Sequence, residues 1–127
     1  MKKRPRFAIS EKKYLVAIPV PSLDRKGRAI SQSEVDKWSR RTQEELTRCF
    51  GGATPLPAPG TNIVGRKVLY EEGQVLVLSG CCEDREQFLR KRERIEAFAE
   101  AMARALDQHS VFVLAFASDS FLIEMKR

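Results

Sequence analysis

The groups in this chain best suited to chemistry are few: three cysteines, one histidine, a glycine-rich loop and scattered carboxylates. Cys81 and Cys82 follow an apolar run and precede a helix start at Asp84, a place where the helix field lowers a thiol pKa. As sequence neighbours they bridge each other badly, and with Cys49 they make an odd set, so free thiols are expected rather than a disulfide framework. The simplest role for Cys81 and Cys82 is as small residues in a strand-to-helix turn. His109 stands alone and no Cys-x-x-Cys pair occurs, so the sequence offers no His/Cys metal cluster, and neither metal nor cofactor is expected. The position of His109, just past the second helix, suits a cation at the negative end of the helix dipole.

Phe50-Gly51-Gly52-Ala53-Thr54 has the composition of an anion cradle, because glycine lets a ligand approach the backbone closely. Gly51, Gly52 and Thr54 are its candidate site residues. Their amides follow a helix C-terminus, however, where the dipole is negative, and no Gly-Lys-Ser/Thr ending is present. A C-cap followed by a packed turn explains the same residues more simply. Glu71-Glu72 reads as solvated charge at a turn rather than an acid/base pair. No catalytic residue is assigned; a catalytic centre, if one exists, would combine loop 51–62 with the turn at Cys81–Asp84.

Charge is distributed unevenly. Residues 1–28 carry nine basic side chains, Lys2, Lys3, Arg4, Arg6, Lys12, Lys13, Arg25, Lys26 and Arg28, against two acidic ones, whereas the other 99 residues hold 14 basic and 15 acidic. The whole excess of the net +6 is therefore N-terminal. These nine residues are the candidate phosphate contacts for a nucleic-acid reading. The longest apolar runs, Tyr14–Val20 and Val111–Ala117, are far shorter than the roughly 20 residues of a membrane helix. The basic start resembles the first region of a signal peptide, but Ser10-Glu11-Lys12-Lys13 stands where an apolar segment should run, and a cytoplasmic location is expected.

The elements that must position these groups are readable from periodicity. Residues 1–13 read as a basic arm and 14–127 as one domain. Tyr14–Val20 is a nearly continuous apolar run, as in a strand covered on both faces. Ser31-x-x-Glu34 has capping-box spacing, and Val35, Trp38, Thr42, Leu46, Cys49 and Phe50 follow on one helical face, which predicts a helix over 32–50 ended by Gly51 or Gly52. The chain from Gly51 to Gly65 is dense in Gly and Pro, which predicts irregular structure until about Ile63. Ile63–Glu71 and Gln74–Ser79 are expected to pair across Glu72-Gly73. Asp84-x-x-Gln87 starts a second helix whose Phe88, Ile95, Phe98, Ala99, Met102 and Leu106 form an apolar stripe. A strand at Val111–Ala117, a turn at Ser118-Asp119-Ser120 and a short fifth strand at Phe121–Met125 complete the order.

That order is β-α-β-β-α-β, an α+β ferredoxin-like antiparallel sheet with both helices on one face. Strand alternation leaves a second apolar set, Leu15, Ala17, Phe112, Leu114 and Phe116, opposite the set Tyr14, Val16, Ile18, Val111 and Val113. A bare apolar face of this kind exceeds what soluble monomers usually expose. A homodimer with two sheets face to face covers it; the alternative cover is the chain's own extra segments.

Leu46-Thr47-Arg48-Cys49-Phe50-Gly51-Gly52-Ala53-Thr54 resembles a group of small bacterial proteins that carry a Leu-Thr…Phe-Gly-Gly-Ala-Thr segment after their first helix. The likeness extends to Asp24 and Gly27, to Gly60, and to Gln108-His109-Ser110-Val111, and departs at Ile63, where those proteins carry Trp. The resemblance implies a compact ferredoxin-like domain and no particular reaction. The leading expectation is thus a non-enzymatic binding or assembly module that self-associates or docks in a larger complex. A nucleic-acid-associated protein using the basic segment is the alternative, and an enzyme of unrecognised type the third.

Overall fold

The computed structural model describes the backbone of residues 7–80 and 84–125, and the side chains of 14–80 and 84–117. The elements are β1 (Phe7–Val20), α1 (Gln32–Phe50), β2 (Thr54–Pro57), β3 (Gly60–Val64), β4 (Lys67–Glu71), β5 (Val75–Gly80), α2 (Arg85–Ala105) and β6 (Leu114–Met125). Four strands form one sheet in the order β2-β5-β1-β6, with every neighbouring pair antiparallel. The fold is α+β and ferredoxin-like: β1 and β5 are central, and each helix crosses from a central strand to an edge strand. The remaining strands, β3 and β4, form a separate hairpin inserted between β2 and β5.

Both helices start and α1 stops where their caps dictate. Ser31 Oγ accepts from the Glu34 amide at 3.3 Å, and Asp84 Oδ1 accepts from the Gln87 amide at 2.8 Å. Gly51 takes φ +94° and donates its N–H to the Thr47 carbonyl at 2.8 Å, the left-handed stop that the paired glycines predict.

One face of the sheet carries the core. Val16, Ile18, Val20 and Val77 pack under Val35, Trp38 and Leu46 of α1 and Ile95 and Met102 of α2. Phe88 and Phe98 are partly buried against the same cluster; Phe88 stacks on Tyr14 (centroids 5.3 Å apart, planes 4° apart) and Phe98 meets Trp38. The buried Trp38 Nε1 has no hydrogen-bond partner among the described atoms. Thr42 is fully buried and resolves its own polarity by donating to the Trp38 carbonyl at 2.7 Å.

The strand boundaries differ from the sequence expectation in several places, the start of β6 at Leu114 instead of Val111 among them. The stretch expected to be irregular contains β2, whose Pro55 and Pro57 are compatible with a strand because β2 is a sheet edge. β2, not residues 63–71, pairs with β5, through Thr54↔Leu78 to Pro57↔Val75. Ile63–Glu71 is not one strand; it bends at Gly65 (φ +64°) into the β3–β4 hairpin, since glycine at the first centre of a two-residue turn suits the strand twist. Finally, β1 starts at Phe7, and Ser118–Ser120 continues β6 instead of turning, so that Phe121–Met125 is the end of β6 and not a fifth strand. Pairing from Phe7↔Met125 to Lys12↔Ser120 overrides the local turn preference.

Candidate functional site

Register decides which side chains share a face. Leu15 pairs with Phe116 and Ala17 with Leu114; on the other side Ala17 pairs with Leu78 and Pro19 with Leu76, which in turn pair with Thr54 and Leu56. Directly opposed residues point the same way, so these form one surface, on the side away from the helices. The surface carries no charged side chain among the described residues. Its edge members are open to solvent: Leu56 is 41%, Leu114 38%, Phe116 46% and the preceding Phe112 68% exposed. The two parity sets read from the strand sequences are thus the two faces of the sheet, and the set containing Leu15, Leu114 and Phe116 is the one that no described element covers.

A second apolar surface lies on the β3–β4 hairpin. Thr61 pairs with Tyr70 and Ile63 with Val68, so these four share a face, and Ile63, Val68 and Tyr70 are each more than half exposed. The opposite hairpin face rests on the β1–α1 connection, where Leu69 and Val64 approach Gly27. Sequence reasoning missed this surface because it merged β3 and β4; the signal available was Gly65-Arg66 between Val64 and Lys67, a two-residue turn flanked by strand formers.

Glu71 anchors the hairpin and is a second correction. Expected to be solvated, it is 6% exposed, and its Oε1 accepts from the Ser22 amide at 2.7 Å and the Leu23 amide at 3.1 Å. Glu72 alone is the exposed member of the pair. The same connection is held from the other side by Gln108, whose Nε2 donates to the Leu23 carbonyl at 2.7 Å.

The basic candidates divide. Arg25 pairs with Asp107, just past α2, at 3.0 Å and Arg28 with Asp24 of its own turn at 3.0 Å, while Lys26 is exposed. The Asp24 carboxyl is held below its ordinary pKa, chiefly by the Arg28 amide that donates to it at 2.9 Å. Lys2, Lys3, Arg4 and Arg6 lie outside the described residues, as do the side chains of Lys12 and Lys13. Of the loop candidates, Gly51 is the helix cap, Gly52 accepts at its carbonyl from Ser79 Oγ at 2.6 Å, and Thr54 is an exposed β2 residue. Cys81 and Cys82 lie outside the described residues. Cys49 is buried in α1, and burial pushes its thiol pKa up. Its carbonyl accepts from the Lys91 ammonium, which also lies over the Phe50 ring.

Among the described residues no group of three His, Cys, Asp or Glu side chains gathers as a metal site, and no helix is long and apolar enough to cross a membrane. No family model matches the chain, and no curated protein matches it. Among solved structures it is similar to a phage SAM lyase in the apo state, with a TM-score of 0.60 and 14% identity over 99% of this chain and 95% of that one. It is similar to a phage SAM lyase in complex with S-methyl-5'-thioadenosine, with a TM-score of 0.60 and 13% identity over 94% of each. A more distant likeness is to the periplasmic divalent cation tolerance protein CutA from Archaeoglobus fulgidus, with a TM-score of 0.48 and 12% identity over 84% of each chain. At these identities the two lyase structures bear on the fold, which they share over nearly their whole length.

Proposed function

We propose that this chain is a self-associating domain whose open sheet face is covered by further copies of itself. The observation that carries the reading is the apolar surface, without a charged side chain among the described residues, built from Leu15, Leu56, Leu76, Leu78, Leu114 and Phe116 on the side of the sheet opposite the helices. A second copy is the fitting occupant because a face without charge offers a charged partner nothing to pair with, whereas the same face on another copy is apolar to the same degree. Size adds a constraint. Four strands about 4.8 Å apart and five residues of about 3.4 Å give a face of roughly 19 by 17 Å, on the order of 300 Å² in projection. A specific interface needs roughly 800 Å² per partner. The exposed Ile63, Val68 and Tyr70 of the hairpin are the next largest apolar supply, so the assembly uses them as well.

The test is the molar mass of the full chain by light scattering at micromolar concentration, compared with a Leu114→Glu/Phe116→Glu variant. The expected result is an oligomer that becomes a monomer in the variant while far-ultraviolet circular dichroism is unchanged. A wild-type monomer at this concentration overturns the reading.

A second reading is favoured by the likeness to a SAM lyase over nearly the full length of both chains, in one structure with S-methyl-5'-thioadenosine bound. On that reading the chain is an enzyme that releases S-methyl-5'-thioadenosine from S-adenosylmethionine: the arm's own carboxylate oxygen bonds to the carbon attached to sulfur, the sulfur–carbon bond breaks with its electron pair going to sulfur, and the positive sulfonium becomes a neutral thioether while the arm leaves as homoserine lactone. Mass spectrometry of the purified chain incubated with S-adenosylmethionine decides it: S-methyl-5'-thioadenosine formed above the spontaneous rate supports the reading, and none above that rate removes it.

A further inference from the structure

The helix side of the sheet is not filled evenly. α1 lies close over β1 and β5, whereas α2 stands farther off, and between α2 and β6 a cavity of about 310 Å³ remains. The buried Val16 and Ile95 line it together with Phe88, Val113 and Ala115. Ala115 pairs directly with Val16, so both side chains stand on this side, and the small methyl of Ala115 leaves the space that a larger strand residue would close.

The α2 residues at the cavity are Phe88, Arg92, Ile95 and Glu96. At spacings of four, seven and eight they form one helical stripe. A stripe turned to the sheet for packing alone would carry an aliphatic side chain at 92. Here it carries a guanidinium, whose Nε donates to Glu96 Oε1 at 2.7 Å, and both members of this pair are exposed on the solvent side of the cavity. A partly open cleft with a mixed apolar and polar lining thus lies beside one donor group and one acceptor group of opposite charge, one helical turn apart.

We infer that this cavity is a binding site for a small zwitterion with an apolar tail, an α-amino acid with an aliphatic or aromatic side chain. The tail lies along Phe88, Val113 and Ala115, above a floor formed by the buried Val16 and Ile95. The carboxylate meets the remaining N–H groups of Arg92, and the ammonium meets Glu96; the charge pattern of an α-amino acid is the complement of this pair. A volume near the lower end of the roughly 300–1,000 Å³ common for ligand pockets admits one such molecule. The site opens on the helix side and is separate from the sheet face that self-association covers, so it stands whether or not that reading holds.

The test is calorimetric titration of the full chain with L-leucine, L-methionine and L-phenylalanine, alongside 4-methylpentanoate, which lacks the ammonium, and 3-methylbutylamine, which lacks the carboxylate. At least one amino acid is expected to bind, and removal of either charge from leucine to weaken binding about tenfold or more. In an Arg92→Gln variant leucine should fall to the affinity of 3-methylbutylamine, and in Glu96→Gln to that of 4-methylpentanoate. Ala115→Leu, which fills the cavity, should abolish binding; should that variant fail to fold, the two charge variants at exposed positions still carry the test. No binding of any amino acid at millimolar concentration overturns the inference, as does equal binding of leucine and 4-methylpentanoate, which would mark an apolar hole without recognition.

Discussion

Ala17 and Ile18 are neighbours in β1, equally screened from solvent, yet they belong to surfaces with different fates. Ile18 faces two helices and sits in the continuous core; Ala17 faces away and owes its burial to the larger Leu78 and Leu114 on either side of it. The covered face lies under α1 and α2, whose apolar stripes fit it except at the cleft between α2 and β6. The open face has the same apolar character and no covering element among the described residues. Hydrophobicity alone therefore does not say what a strand face is for. Burial by the chain's own helices supplies folding energy, whereas burial by another molecule supplies association energy and is absent from the isolated chain.

The sharpest way to break this comparison is the same kind of truncation on each face. Ile18→Ala should cost about 2–5 kcal/mol in chemical denaturation of the dilute chain, since a fully buried aliphatic leaves a cavity. Leu114→Ala should cost less than about 1 kcal/mol in the same measurement and should instead lower the concentration dependence of the midpoint. Equal costs at low concentration would mean that the open face is covered within the chain. Glu71→Ala comes next: it strips the acceptor from the Ser22 and Leu23 amides and should cost about 1–3 kcal/mol, with faster hydrogen exchange at those two amides as the specific readout. Exchange unchanged at both would deny Glu71 its anchoring role. Gly51→Ala follows at about 1 kcal/mol. No atom lies within 4 Å of the added methyl, so the whole cost comes from φ +94°, and Gly52→Ala serves as the control that should be nearly neutral.

The smallest effect is pH dependent. Asp24 has its folded pKa depressed, so its contribution to stability is fully present above the unfolded aspartate value of about 3.9 and is lost as pH falls through the lower folded value. The stability of wild type relative to Asp24→Asn should therefore decline on acidification below about pH 4 and be flat from pH 5 to 7. A difference that grows on acidification would reverse the assigned direction.

How much of this was legible depends on the range of the forces involved. α1 was readable to the residue because the Ser31 cap, the apolar stripe and Gly51 all act within a few positions of where they sit. The parity of β1 and β6 was readable for the same reason. β2 was not, because Pro55 and Pro57 are loop residues by local preference and become strand residues only at an edge supplied by β5. The continuation of β6 through Ser118-Asp119-Ser120 depends on pairing with residues more than a hundred positions away. Glu71 looked like surface charge because the two amides that stabilise it belong to a connection some 49 residues earlier.

The two margins of the sheet are as unlike as its two faces. At one margin β2 is four residues long and lacks two amide protons, at Pro55 and Pro57. At the other, β6 runs for 12 residues with its outer row of backbone groups unpaired among the described residues. Hydrogen-bonded growth of the sheet is thus open at one end and poorly supported at the other. Joining two β6 edges leaves only proline-bearing margins outside, so ladder extension terminates at a pair of chains; repeated addition into a fibril would need a donor row that β2 does not present.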